Sequence, residues 1–169
     1  MPLSLHLASN RREHKGMHDI EIFSDDHFMK LALLEAEKAE EQGEVPIGAV
    51  IVSNNRVIAK AYNQVEMLKD VSAHAEIIAL TAASSYLGNK YLNKCTLYVT
   101  LEPCIMCVGA LKWSQISRIV YGASDEKNGF MRYGKEMLHP KTRLEFGVLH
   151  DACSQIVSSF FATIRDLKS

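Results

Sequence analysis

A histidine with a glutamate two residues on, and a proline followed at once by two cysteines three apart, are the groups in this chain best suited to chemistry. They are His74 and Glu76 in H-A-E, and Pro103, Cys104 and Cys107 in P-C-I-M-C. Imidazole nitrogen and thiolate sulfur are favoured zinc ligands. One His and two Cys fill three corners of a tetrahedron and leave the fourth to water, the arrangement of a catalytic rather than a structural site. A metal lowers the pKa of water bound to it from about 15.7 to about 7, so a nucleophile exists at neutral pH. Glu76 is expected to move protons to and from that water instead of binding the ion. The expected cofactor is one Zn2+ per chain and the expected chemistry is hydrolysis. Taken singly, the cysteines also fit a redox pair or half of a structural zinc clip, and the histidine a surface residue. The joint spacing favours the metal.

The elements that must position these groups follow from their neighbours. Pro103 suits a first helical turn, because its missing N–H costs nothing there, and Cys104 and Cys107 then share one helix face. Residues 72–83 are rich in helix-forming Ala, Glu and Leu, with Ser72 as the expected N-cap and His74 in the first turn. Two helix N-termini then face the ion, and their partial positive charge favours thiolate. Residues 95–101 read as a strand that delivers Cys104 at its end, followed by a helix to about residue 113 and a strand over 116–121. Two strands joined through a helix form a right-handed crossover with parallel pairing, and sites in such sheets lie beyond the strands' carboxyl ends.

The rest of the chain completes one layered domain. Ser24 or Asp25 caps a helix running to about residue 42, where Gly43 stops it. Residues 45–52 and 56–62, joined by S-N-N, predict a hairpin. From residue 122 to 140 the chain is polar and broken by Gly129, Gly134 and Pro140, which predicts a long ordered loop with one helical turn. A strand over 144–149 and a helix over 151–167 follow, with Ile156, Phe160, Ile164 and Leu167 expected to pack in the core. This order makes an α/β fold, a three-layer α/β/α domain on a five-stranded mixed sheet.

At 169 residues the chain suffices for one domain that buries about 70% of its unfolded surface without disulfides. Cys95 and Cys153 sit in apolar runs and read as packed thiols. Residues 1–20 lack a hydrophobic period and are expected to be a flexible lead, leaving residues 21–169 as the domain. No stretch approaches the roughly 18 apolar residues of a membrane span, and the start of the chain lacks the apolar centre of a secretory signal, so a cytoplasmic location is expected. A formal charge of -1 neither demands nor excludes nucleic acid, so any RNA-binding face must be local.

H-A-E-I over residues 74–77, T-L-E-P-C-I-M-C-V-G-A over 100–110 and E-V-P-I-G-A-V over 44–50 resemble the cytidine deaminase-like superfamily. Within it they are most similar to bacterial tRNA-specific adenosine deaminases, and the His, Glu and Cys spacing is that of zinc deaminases of cytosine and adenine. The resemblance spans about residues 25–167. It implies a cytidine deaminase-like fold, conversion of wobble adenosine to inosine with release of ammonia, a tRNA anticodon loop as partner, and a homodimer. It also implies His74, Cys104 and Cys107 as zinc ligands and Glu76 as proton shuttle. Asn63 matches a contact to the flipped base and its ribose, and Pro46, Ile47, Ala75 and Leu101 match walls of the base pocket. From the residues alone Asn63 is equally a turn residue after a strand.

Two departures bear on substrate. Val71 stands in D-V-S-A-H-A-E where the family usually has proline, and E-K-N-G-F-M-R-Y-G-K-E-M-L-H-P-K follows Asp125 in place of a small-residue segment that helps hold the anticodon. Lys127, Arg132, Lys135, His139, Lys141 and Arg143 are expected to form a basic rim there, or else a solvated charged loop. Three readings stay open: a tRNA adenosine deaminase; a deaminase of a free base or nucleoside such as guanine, cytosine or adenosine; and a non-catalytic zinc-stabilised RNA-binding domain. The last has only three evident ligands to close its metal site. Trp113 is expected to be buried, in a partner or in the chain's own core.

Overall fold

Residues 22–169 are described by a computed structural model, and the expected flexible lead over residues 1–20 lies outside them. Helix α1 (Asp25–Glu41) begins where Ser24 is extended and its hydroxyl accepts the His27 N–H at 3.1 Å, with Asp25 and Asp26 complementing the helix dipole. Its inner face buries Phe28, Met29, Ala32 and Ala36. Strand β1 (Gly48–Ser53) passes so close to that face that a Cβ on Gly48 would stand 2.0 Å from the Ala32 carbonyl oxygen. Asn54 and Asn55 both take positive φ, the two-residue turn that suits the twist of a hairpin, and β2 (Arg56–Tyr62) returns antiparallel to β1.

A short helix α2 (Val65–Leu68) leads to α3 (Ala75–Leu87), then β3 (Thr96–Leu101), α4 (Ile105–Ser114) and β4 (Arg118–Ala123). Two 3-10 turns (Phe130–Tyr133 and Lys135–Met137) precede β5 (Arg143–Phe146) and α5 (His150–Leu167). The sheet runs β2-β1-β3-β4-β5, antiparallel from β2 to β3 and parallel from β3 to β5. Alternate strand residues sort into two cores. Leu97, Val99, Ile119 and Tyr121 pack under α3 and α4, whereas Tyr98 and Val120 pack with Phe28, Met29 and Cys153 under α1 and α5. The three-layer α/β/α expectation holds, and Cys95 and Cys153 are both buried. Among the described residues no helix is long and apolar enough to cross a membrane.

The edge of the sheet where β3, β4 and β5 begin is closed by Arg118. Its guanidinium donates to both carboxylate oxygens of Asp25 at 2.8 and 2.6 Å, to Glu145 Oε1 at 3.0 Å and to the Tyr98 hydroxyl at 3.2 Å. Tyr98 in turn donates to Asp25 Oδ1 at 2.7 Å. One side chain therefore ties the start of α1 to three strands.

Several expectations are corrected. Strand β4 starts at Arg118 and not at residue 116, because the Ile116 carbonyl accepts the Thr142 hydroxyl and the Ser117 hydroxyl turns to the Cys95 carbonyl. The α5 stripe is not core. Only Cys153 of that helix is buried, tucked against Gly122, while Ile156, Phe160 and Ile164 are half-buried and Leu167 is 81% exposed. Trp113 is 82% exposed, so it is not in the chain's own core.

The Arg118 cluster has a testable pH signature. Its guanidinium holds Asp25 and Glu145 below the ordinary carboxylate range, chiefly by hydrogen bonding. Depressed acids stabilise the fold fully above the unfolded value of about 4, and that contribution is lost as pH falls through the lower folded values. Arg118→Met is expected to lose on the order of 1 kcal/mol at pH 7, since both carboxylates keep some solvent. Urea unfolding of the two proteins should show this gap at pH 7 and its closure near pH 2; a gap of constant size contradicts the assignment.

Candidate functional site

Beyond the carboxyl end of β3 two helices begin side by side, and each begins on a ligand. His74 is the N-cap of α3 and Cys104 the N-cap of α4, both with extended backbone and neither using its side chain to cap. This shifts α3 from the expected start. Ser72 does not cap it, because the Ser72 N–H and hydroxyl both bind Asp70 Oδ1, at 2.8 and 2.7 Å. Pro103 likewise lies just before the cap of α4 and outside the helix. Freed from capping, the two side chains turn toward Cys107, one turn into α4. The ligand atoms of His74, Cys104 and Cys107 lie within 4.8 Å of one another.

The spacing fits zinc. His74 Nδ1 lies 3.6 Å from Cys104 Sγ and 3.5 Å from Cys107 Sγ. A sulfur at about 2.3 Å and a nitrogen at about 2.0 to 2.1 Å from one tetrahedral zinc stand about 3.5 Å apart. The protonation pattern fits as well. Cys104 is drawn down to about 4, first by its hydrogen bond from Cys107 and then by His74. Cys107 is pushed up by giving that bond and by burial, and His74 is raised by its bond to Cys104.

Glu76, in the first turn of α3, is 2% exposed, and its Oε2 is buried with no hydrogen-bond partner. Burial pushes its carboxyl up to about 7. A buried unsatisfied oxygen of this kind costs about 1–3 kcal/mol or more, so it points to a group that the fold keeps free for a reactant.

The other expected site residues are placed as follows. Asn63, 5% exposed at the end of β2, accepts the Ala75 N–H on Oδ1 at 2.9 Å. That bond engages the Ala75 N–H and turns the Asn63 amide NH2 away from it. Pro46 and Ala75 are buried and Ile47 is half-buried against the α3/α4 core, whereas Leu101 packs toward the α1/α5 core. The basic residues do not make one rim. Arg143 pairs with Arg118 at the edge where the parallel strands begin, opposite the edge that ends in Cys104, and His139 lines a cleft with Lys112 and Trp113 at the far end of α4. Lys127 and Arg132 flank the segment that the bridge between Cys104 and Gly129 holds beside the site.

Two residues escaped the sequence reading. Glu44, 2% exposed, accepts the N–H groups of Glu66 and Met67 at 3.1 and 2.7 Å. Glu102, 6% exposed, accepts those of Asp125 and Met131 at 2.9 and 3.0 Å. The signal was present: each is a carboxylate at the border of an apolar run and within two residues of a proline, in E-V-P and E-P-C, and such a group must find donors when buried.

Comparison with known proteins agrees with this arrangement. Residues 23–123 match the cytidine and deoxycytidylate deaminase zinc-binding region. A tRNA-specific adenosine deaminase of Aquifex aeolicus (strain VF5) is 44% identical over 83% of this chain and 96% of its own. A solved structure from the tRNA:A34 deaminases of A-to-I editing at the wobble position of transfer RNA is 42% identical, with a TM-score of 0.73 over 77% of this chain and 98% of its own. A guanine deaminase from Bacillus subtilis is 37% identical but matches only 60% of this chain and 65% of its own, with a TM-score of 0.57. The cofactor of the matched region is zinc, which the donor set fits.

Metal analysis after dialysis should find one zinc per chain, falling to a small fraction in Cys104→Ser and Cys107→Ser. A chelator should lower the melting temperature of the parent chain and leave that of either variant nearly unchanged. Full zinc in both variants contradicts the ligand set.

Proposed function

Because the chain belongs to the zinc-binding cytidine and deoxycytidylate deaminases and, within them, to the tRNA-specific adenosine deaminases, we propose that it converts the wobble adenosine of a tRNA anticodon loop to inosine. The reaction class rests on one observation above others, the buried and unpartnered Glu76 Oε2 beside three metal-binding side chains. The substrate class rests on 44% identity along nearly the whole of the Aquifex aeolicus protein, against 37% over a shorter part of the Bacillus subtilis guanine deaminase. The reaction takes place in the cytoplasm, where the tRNA is.

His74, Cys104 and Cys107 would hold the zinc. When bound, the ion lowers the pKa of water from about 15.7 toward 7 and so supplies a nucleophile at neutral pH. Glu76 does the proton work. It accepts a proton from the attacking water as the oxygen bonds to C6 of the adenine, and it delivers that proton to ring N1. It then carries the second proton to the amino group, the C6–N bond breaks, and ammonia leaves. One water is consumed and the base retains an oxygen at C6. A carboxyl raised to about 7 by burial both accepts and gives protons near neutrality, which suits one group serving twice.

The reacting base must leave its stack to reach this depth. Asn63 is placed to meet it. With Oδ1 committed to the Ala75 N–H, its NH2 is the end that donates to an acceptor on the base or ribose. Ile47 and Ala75, with Pro46 beside them, supply the apolar walls, while Leu101 at the end of β3 packs toward the opposite core.

A second copy of the chain completes the particle. Met106 and Trp113, 38% and 82% exposed, lie two turns apart on one face of α4, with Ile105 50% exposed beside them. An apolar helix face of this kind is suited to a symmetric partner.

Two measurements check these assignments. Glu76→Ala should keep its zinc and lose about 100- to 10,000-fold in kcat on an adenosine-containing anticodon stem-loop. Undiminished turnover contradicts the role of Glu76. Trp113→Glu combined with Met106→Glu should move the sedimentation coefficient from that of a dimer to that of a monomer, and a dimer that survives both changes contradicts the α4 interface.

A further inference from the structure

The loop after β4 is fastened beside the metal centre by a single buried carboxylate. Glu102 lies two residues before Cys104, and its two oxygens each accept one backbone N–H from the ends of the same loop, Asp125 on Oε2 and Met131 on Oε1. The loop also meets the chain around Cys104 directly. Phe130 donates its N–H to the Pro103 carbonyl at 3.0 Å, and Cys104 and Gly129 form an antiparallel bridge. Asp125 closes the loop on itself, its Oδ1 accepting the N–H groups of Lys127 and Asn128 and its carbonyl that of Gly129. Gly129 rests on the carboxylate itself, since a Cβ there would stand 2.3 Å from Glu102 Cδ and Oε1.

Among the described residues Glu102 forms no ion pair, so its oxygens are met by backbone donors alone. Such a carboxylate acts as a template: it sets the positions of residues 125 and 131 together. It does not belong to the His74, Cys104 and Cys107 cluster. The outer side of the clamped loop exposes Glu126, Lys127, Asn128, Met131 and Arg132, and the Arg132 guanidinium donates to the Lys127 carbonyl. Exposed cations and hydrogen-bonding groups on a loop fixed beside Cys104 suit the backbone of a nucleic acid strand.

We propose that Glu102 is a positioning residue for the RNA substrate: it fixes residues 125–131 as the wall beside Cys104 on which nucleotides flanking the reacting adenosine rest, and it takes no part in holding metal or moving protons. This rests on the reading of the substrate as tRNA. Glutamine at 102 keeps the size but sets an NH2 against one of the two N–H donors. Alanine at 129 would drive its Cβ against that carboxylate and so displace the same loop while the residue at 102 stays glutamate. The two changes therefore disturb one contact from its two sides, the first by removing an acceptor and the second by crowding it.

Zinc content, kcat and KM on an adenosine-containing anticodon stem-loop test the proposal in Glu102→Gln, Gly129→Ala and the double variant. Expected are one zinc per chain, kcat within about threefold of the parent chain and a KM raised about tenfold or more in each single variant, as small misplacements of substrate-positioning groups produce. The double variant should be no worse than the worse single, because both act through one loop position. Unchanged KM in both singles, loss of zinc from a folded Glu102→Gln chain, a fall in kcat at constant KM, or additive losses in the double overturns it. If Glu102→Gln does not fold, the KM of Gly129→Ala decides alone. A parent chain that leaves the stem-loop unconverted overturns the substrate reading, and this proposal with it; failure of the proposal alone is an active parent with unaltered KM in the variants.

Discussion

A buried carboxylate oxygen without a partner is the constraint on which this structure turns. Glu76 sits in the first turn of α3, where the chain has just delivered His74, and burial raises its carboxyl toward neutrality. In an ordinary core that oxygen would be satisfied or replaced. Here the Ala75 N–H is committed to Asn63, and the His74, Cys104 and Cys107 side chains gather into the metal-binding cluster. The neighbours hold Glu76 in reserve, and the proposed proton transfers give that reserve a use.

Preorganisation of the surroundings comes from two layers. The sheet aims β3 so that Cys104 begins α4 beside the start of α3, and close contacts at Gly48 and Gly122 lock α1 and α5 onto the opposite face. Glu44 holds the first turn of α2, and Glu102 the loop after β4, by their backbone N–H groups. Loops fixed in this way lose little freedom when a substrate arrives, which leaves more of the interaction energy for orienting the base.

Much of this was legible in the sequence, for identifiable reasons. Ligand spacing in H-A-E and P-C-I-M-C reports local geometry, and the apolar run into Cys104 reports a strand that ends at the site, so both survived folding with only small shifts in helix start. Ser72 was misread because a nearer acceptor, Asp70, captures it, a competition between two short-range hydrogen bonds that periodicity does not reveal. The α5 stripe was misread because amphipathic spacing says that a face is apolar and not what covers it. The basic rim failed for a topological reason: between Arg132 and Arg143 the chain crosses from the end of β4 to the start of β5, so charges close in sequence are carried to opposite edges of the sheet. Glu44 and Glu102 stood in plain view within the motifs, yet their partners are backbone groups far along the chain, which no side-chain pattern encodes.

The most direct measurement is mass spectrometry of an adenosine-containing anticodon stem-loop incubated with the zinc-loaded chain in 18O-labelled water. The expected result is inosine at the wobble position carrying one 18O atom, with one ammonia released for each. An unlabelled product, or an unconverted stem-loop from a preparation that turns over free guanine, would contradict hydrolytic deamination of tRNA.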